Sequence, residues 1–220
     1  MWFKGRFPYE KGSCSTCGAS NTEMKQDEED IISSLGCLYA SVKERLGEAT
    51  RTELFRCRNC NSYTRFPRYN KALWVTSMRR GRCGEYSMLL YRMLRSVGYE
   101  KIRYVVDWAD HLWVEIWLGD NVGDYATAKN GRWVHCDPCE ATVDEPLLYV
   151  SWNKIPTYIF AFRVVGIQME IEDVTMHYTT DNIQAIHKRR GISSDFVTES
   201  IREVSDKSSD ILRELRTTKK

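Results

Sequence analysis

Gly81-Arg82-Cys83-Gly84-Glu85 is followed downstream by Asp110-His111-Leu112-Trp113 and by His135-Cys136-Asp137-Pro138-Cys139-Glu140. In that order Cys83, His111 and Asp137 supply a thiol nucleophile, a base to take its proton and a carboxylate to orient the base. The chemistry they imply is hydrolysis through a covalent intermediate. A lone cysteine or histidine is more often a core thiol or a hydrogen-bonded surface ring. Three residue types in these local contexts favour catalysis.

Such a set works only if secondary structure aims it. Met88, Leu89, Met93, Leu94 and Val97 recur at helical spacing behind Cys83, so the sulfur is expected at a helix N-terminus, where the dipole favours thiolate. The run from His111 to Leu118 alternates in polarity. As a strand it turns His111, Trp113, Glu115 and Trp117 to one face and Leu112, Val114, Ile116 and Leu118 to the other. From Arg132 to Asp137 the same period groups Trp133, His135 and Asp137. A second strand beside the first then sets Asp137 against His111, with Trp113 and Trp133 flanking them.

Upstream, Cys14-Ser15-Thr16-Cys17 and Cys57-Arg58-Asn59-Cys60 form two CxxC knuckles, followed by Gly18 and Asn61. Each knuckle can offer two thiolates, and four sulfurs satisfy a tetrahedral zinc ion in a structural role. Disulfides or free thiols are the alternatives. Between the knuckles Ile31, Leu35, Leu38 and Val42 fall at helical spacing, which predicts a helix within Asp30 to Gly47. Glu23 to Asp30 is an acidic run that reads as a solvated loop or helix start.

These motifs resemble the transglutaminase-like core of the cytoplasmic peptide:N-glycanases, the deglycosylating amidases of glycoprotein quality control. The resemblance rests on Phe66-Pro67-Arg68-Tyr69-Asn70, Arg80 to Glu85, Asp110 to Trp113, Arg132 to Glu140, Trp152-Asn153-Lys154 and Ala161-Phe162. By motif order it extends from residue 1 to about residue 190. Two departures are the insert from Asp120 to Asn130, expected to be a hairpin loop, and Tyr86, where the family often carries Trp. The resemblance implies an α+β fold with a transglutaminase/papain-like core, a catalytic helix packed on antiparallel sheet, and a zinc-binding lobe. It implies that Cys14, Cys17, Cys57 and Cys60 bind structural zinc. It also implies that Trp113 and Trp133 meet the chitobiose end of a glycan, with Glu140 hydrogen-bonding sugar hydroxyls or capping a turn.

The expected organisation is a zinc-binding lobe with helical insertion over residues 1–65, a catalytic core over 66–180 and a C-terminal helical extension over 181–220. Pro146, Pro156 and Gly166 bound one or two further strands between Tyr149 and Val165. From Val197, the residues Ile201, Val204, Ile211 and Leu215 mark a narrow apolar helical stripe, suited either to the chain's own domain or to a partner. The chain has 220 residues, 42% of them hydrophobic, which is enough for a sizeable core. With 32 basic and 30 acidic residues its net charge is +2, giving no nucleic-acid or membrane signature. Met1 to Pro8 holds no signal-peptide apolar run. A thiolate nucleophile and zinc thiolates suit a reducing compartment, so the cytoplasm is expected, with the nucleus also open. The first knuckle lies close to residue 1, which points to preceding chain.

The activity implied by the resemblance is hydrolysis of the bond between Asn and N-acetylglucosamine of misfolded N-glycoproteins or glycopeptides, converting Asn to Asp. A ubiquitin-receptor shuttle or proteasome-linked partner is also implied. The alternatives are another Cys-His-Asp enzyme of this fold, a protease or transglutaminase, or a non-catalytic binding module.

Overall fold

In a computed structural model, residues 2–24, 31–32, 37–119 and 130–218 are described. The chain divides into two compact units, residues 1–92 with 138–140, and residues 93–137 with 141–220.

In the first unit, helix α1 spans Trp2–Arg6, strands β1, β2 and β3 span Thr22–Met24, Ile31–Ile32 and Cys37–Tyr39, and helix α2 spans Val42–Arg45. Strands β4 (Arg51–Cys57) and β5 (Tyr63–Pro67) and helix α3 (Ala72–Met78) follow. Strand β4 is the organising element. It pairs antiparallel with β5 along Thr52–Arg56, with β3 at its start and with β1 at its end. The helix expected over residues 30–47 is therefore replaced by β2 and β3, paired Ile31↔Leu38 and Ile32↔Cys37, and by the single turn of α2. The β-branched pair Ile31-Ile32 favours strand, and the helix starts only where Ser41 caps it, exchanging hydrogen bonds with Glu44 in a capping box.

Helix α4 spans Cys83–Ser96, as its apolar spacing predicts. Strands β6 (Ile102–Asp107), β7 (His111–Gly119), β8 (Gly131–Asp137), β9 (Thr142–Val143), β10 (Ile159–Val165) and β11 (Gln168–Asp173) build the antiparallel sheet of the second unit, in the order β11-β10-β6-β7-β8-β9. Of the insert expected from Asp120 to Asn130, residues 120–129 lie outside the described residues, while Gly119 pairs with Gly131. On one face Trp113, Val105 and Ala161 stand in register across β7, β6 and β10 and are fully buried with Tyr149, Ile159, Val174 and Tyr178. Tyr149 comes from a 3-10 turn, Leu148–Trp152, and Tyr178 from another, Thr175–Tyr178.

Helices α5 (Ile183–Arg190) and α6 (Ser194–Thr217) end the chain. Ser193 caps α6, and the helix lies on its own unit: Val197 and Ser209 are buried, Ser209 accepts the Met169 amide, and Arg216 donates to the Gly166 carbonyl. Val204, Ile211 and Leu215 stay exposed. Among the described residues no helix is long and apolar enough to cross a membrane.

Candidate active site

Cys83 is the first residue of α4 and is buried. The start of this helix is fixed by charge. Glu85 reaches back to accept the Arg82 amide at 2.9 Å, and the Tyr86 amide closes the first turn on the Arg82 carbonyl. Glu85 in turn holds Arg68 at 2.6 and 3.1 Å. Glu53 bridges Arg68 at 2.8 Å and Arg82 at 2.7 Å. All three guanidinium groups of Arg68, Arg80 and Arg82 sit within 5.5 Å of the centre of the buried Phe66 ring, an arrangement suited to cation–π attraction. Gly81 must lack a side chain, because a Cβ there would stand 2.7 Å from the Tyr86 ring and 2.9 Å from Glu85 Cβ. Tyr86 is itself buried and donates to the Pro8 carbonyl at 2.7 Å, so this departure from the resembling family is accommodated by a polar contact.

The histidine and carboxylate belong to the second unit. The β6–β7 connection is a tight turn: the Asp110 amide bonds the Asp107 carbonyl, Asp107 Oδ1 accepts the Ala109 amide, and Asp110 takes a left-handed φ of 70°. Such a turn favours Asp or Gly at that point and puts His111 first on β7. In register Glu115 faces His135 and Val114 faces Cys136, so the next step carries Asp137 to the His111 face, as the alternation predicts. His111 Nε2 stands 2.6 Å from Asp137 Oδ2, and both residues are buried. A carboxylate only accepts, so Nε2 carries the hydrogen and proton exchange falls to Nδ1. The structure brings this pair together within one unit; Cys83 is placed in the other.

The aromatic expectations are redistributed. Trp113 is 0% exposed, and its Nε1 donates to Tyr178 Oη at 2.8 Å, so it braces the histidine from within the core and presents no face to a sugar. The face that bears His111 is also the core face, and the next residue on that face, Trp113, is already covered. Trp133 is partly exposed but lies four residues before Asp137, about 13 Å along β8. There it packs against Trp117 and lines a cavity of about 360 Å³ with Arg132, His135, Asp144 and His177. Arg103 stacks on Trp133, 4.3 Å from its centroid, while pairing with Glu115. Glu140 lies in the first unit, 3.6 Å from Lys4 Nζ.

Three residues gain roles that the sequence does not assign. Trp152 is 40% exposed with its ring 5.6 Å from His111. Tyr149 donates its hydroxyl to Asp137 Oδ2 at 2.9 Å, and His135 Nε2 lies 2.6 Å from the same hydroxyl. Only His135 carried a signal, its shared strand face with Asp137. Cys136 points to the opposite face, where burial pushes its thiol up to about 12 and keeps it unreactive.

The four upstream cysteines converge. Their sulfurs lie within 4.8 Å of one another, with Cys14–Cys60 and Cys17–Cys57 at 3.6 Å, and none is in a disulfide. A tetrahedral ion with sulfurs at about 2.3 Å needs edges of about 3.8 Å. The donor set therefore fits. Each knuckle is closed by a matching turn, with Gly18 N–H on the Cys14 carbonyl and Asn61 N–H on the Cys57 carbonyl, and both closing residues have positive φ. These are the two residues that the sequence places just after the knuckles.

Residues 38–138 match a family model described as the transglutaminase-like superfamily. A peptide-N(4)-(N-acetyl-beta-glucosaminyl)asparagine amidase of Gallus gallus is 35% identical over 218 residues, covering 98% of this chain and 30% of the relative. Relatives of the same name from Eremothecium gossypii and Saccharomyces cerevisiae are 38% and 33% identical over 79% and 78% of this chain, and 43% and 42% of their own lengths. The chain thus spans well under half the length of these curated relatives.

Proposed function

We propose, from a chain that belongs to the peptide:N-glycanase family of the transglutaminase-like superfamily, that it hydrolyses the amide joining Asn to N-acetylglucosamine. The observation that carries the chemistry is the buried His111–Asp137 hydrogen bond, downstream of a cysteine that opens a helix. The name of the relatives supplies the scissile amide. A protease or transglutaminase uses the same three groups on a different amide, and the relatives favour the glycan-bearing one.

In this reading His111 Nδ1 takes the Cys83 proton and the sulfur attacks the Asn side-chain carbonyl. The C–N bond breaks as imidazolium delivers the proton to the departing glycosylamine. Water, deprotonated by His111, then cleaves the thioester, leaving Asp on the peptide and a regenerated thiol. The glycosylamine loses ammonia in water. Asp137 holds the imidazole in its working tautomer and stabilises the imidazolium. The Cys83 amide, at the N-terminus of α4, serves as an oxyanion donor. Zinc on Cys14, Cys17, Cys57 and Cys60 supplies a structural crosslink and takes no part in the chemistry. Trp133, at the chitobiose end of the glycan, and Glu140, on sugar hydroxyls, are the sugar contacts in this reading.

The substrates in this reading are misfolded N-glycoproteins met in the cytoplasm or nucleus, and the partner is a ubiquitin-receptor shuttle or proteasome-linked protein. An apolar groove of about 350 Å³ between α6 and the β10–β11 edge, lined by Trp108, Phe160, Phe162, Phe196 and Ile201, supports a docked partner. The test is mass spectrometry of a denatured high-mannose glycoprotein after incubation with the protein. Asn-to-Asp conversion at glycosylated sites is expected, with loss of roughly three or more orders of magnitude in Cys83→Ala. Conversion that survives in Cys83→Ala would remove the nucleophile assignment.

A further inference from the structure

His135 precedes Asp137 by two residues and shares its strand face, while Tyr149 arrives from the 3-10 turn Leu148–Trp152. Both are buried, at 2% and 1% exposure, so water does not substitute for their hydrogen bonds. The Tyr149 hydroxyl lies 2.9 Å from Asp137 Oδ2 and 2.6 Å from His135 Nε2.

The direction of each bond follows from chemistry. A phenol has one proton and a carboxylate only accepts, so the proton of Tyr149 goes to Asp137 and its oxygen accepts from His135 Nε2–H. Burial, with the His111 ring nearby, outweighs the charges of Asp137 and Asp144 and lowers His135 to about 4. The ring is therefore neutral with one N–H. The opposite tautomer would bury an N–H at Nδ1, which finds no partner. An orphaned donor is worse than an orphaned ring lone pair, and the opposite tautomer would also strip Asp137 of its second donor.

The geometry points to His135 and Tyr149 as positioning residues for the catalytic pair, linked His135 Nε2–H to Tyr149 Oη–H to Asp137 Oδ2, which also receives His111 Nε2–H. The two donors converge on one carboxylate oxygen and fix its rotation, so the histidine has a single orientation. Tyr149 is held in turn by rings on three sides, Trp113 at 4.7 Å, His111 at 5.1 Å and Trp152 at 5.2 Å. The kinetic consequence rests on the amidase reading; the tautomers do not.

Two measurements on the purified protein test the link. Nitrogen-15 NMR of the histidine rings at pH 7 reads the tautomers without any substrate, and both His111 and His135 are expected as Nε2–H forms. Turnover of a glycopeptide is then compared for Tyr149→Phe, His135→Gln and His135→Asn. Gln carries its amide N–H near the place of Nε2, whereas Asn reaches only the place of Nδ1. Removing a hydrogen bond to a buried carboxylate should lower kcat about 10- to 100-fold in Tyr149→Phe and His135→Asn, with KM within about twofold. His135→Gln should retain kcat within about threefold of the parent, because its donor to Tyr149 persists. A merely structural histidine would make Gln and Asn alike. An Nδ1–H tautomer at His135, equal kcat in the Gln and Asn variants, or full kcat in Tyr149→Phe overturns the link. Absence of turnover by the parent protein would instead strike the amidase reading, and the tautomers would still decide the link.

Discussion

Glu53→Gln should be among the most damaging single-atom-scale changes outside the proposed catalytic residues. The Glu53 side chain is 6% exposed and bridges Arg68 and Arg82, whose side chains are 16% and 25% exposed. At an effective dielectric of about 20 each pair at about 4 Å is worth about 4 kcal/mol gross, from which the desolvation of the charges must be subtracted. Removing one partner of a buried pair costs about 3–5 kcal/mol, because the half-buried Arg68 is then left with Glu85 and Arg82 with the Glu10 carbonyl. Glutamine keeps one acceptor but turns an N–H₂ group toward a guanidinium. The internal control is Asp144→Asn, which breaks an even shorter bidentate pair with Arg132, at 2.5 Å for both bonds, where the side chains are 43% and 63% exposed. Exposed pairs are worth about 0–1 kcal/mol. Urea unfolding at neutral pH, with hydrogen exchange to localise the loss, reads both variants. Glu53→Gln should lose about 3–5 kcal/mol of a total stability of about 5–15 kcal/mol and deprotect β4 and β5, whereas Asp144→Asn should shift the midpoint little. Equal midpoints for the two variants would refute the argument that burial decides the value of these pairs.

Metal analysis should find about one zinc per chain, and Cys57→Ser should lower the melting temperature and metal content together; unchanged melting with no metal would remove the structural ion. The hydrogen bond from Arg65 holds the Glu44 carboxyl at about 2, from an ordinary 4.5, despite its burial. A depressed carboxyl contributes stability that is present above pH 4.5 and lost as pH falls through 2. Glu44→Gln should therefore flatten the stability–pH curve across that window; parallel curves for the two proteins would contradict the assignment. Trp113→Ala should cost about 3–5 kcal/mol of stability as a core truncation. Trp152→Ala should leave the melt nearly unchanged and weaken binding of a free chitobiose-containing glycan, and unaltered affinity in the folded variant would exclude a sugar contact there.

What the sequence disclosed divides by range. The knuckles were legible because each is closed by turns within a few residues, at Gly18 and Asn61, and chain connectivity alone dictates those turns. The meeting of His111 and Asp137 was legible because strand period is two, so side chains on paired strands keep a common face once the strands are identified. The same alternation misjudged Trp113, since it assigns residues to faces without saying which face the core occupies. Val105 and Ala161, across two neighbouring strands, make the His111 face the core face, and His111 keeps its access to chemistry through its place at the strand's first residue. The stretch from Ile31 to Val42 departs for a related reason: Ile31 and Leu38, at helical spacing, fall instead on two short paired strands, the second of which pairs with β4, and Val42 opens the single turn of α2. Tyr149 was not legible at all. It reaches Asp137 from a 3-10 turn twelve residues later in the chain, and neither periodicity nor motif order encodes that arrival. The hydrogen-bond shell of the Asp137 carboxylate is assembled by tertiary packing of one loop against one strand, which is why Tyr149 emerges only from the fold while His111 and Asp137, and His135 on the same strand face, stand plainly in the sequence.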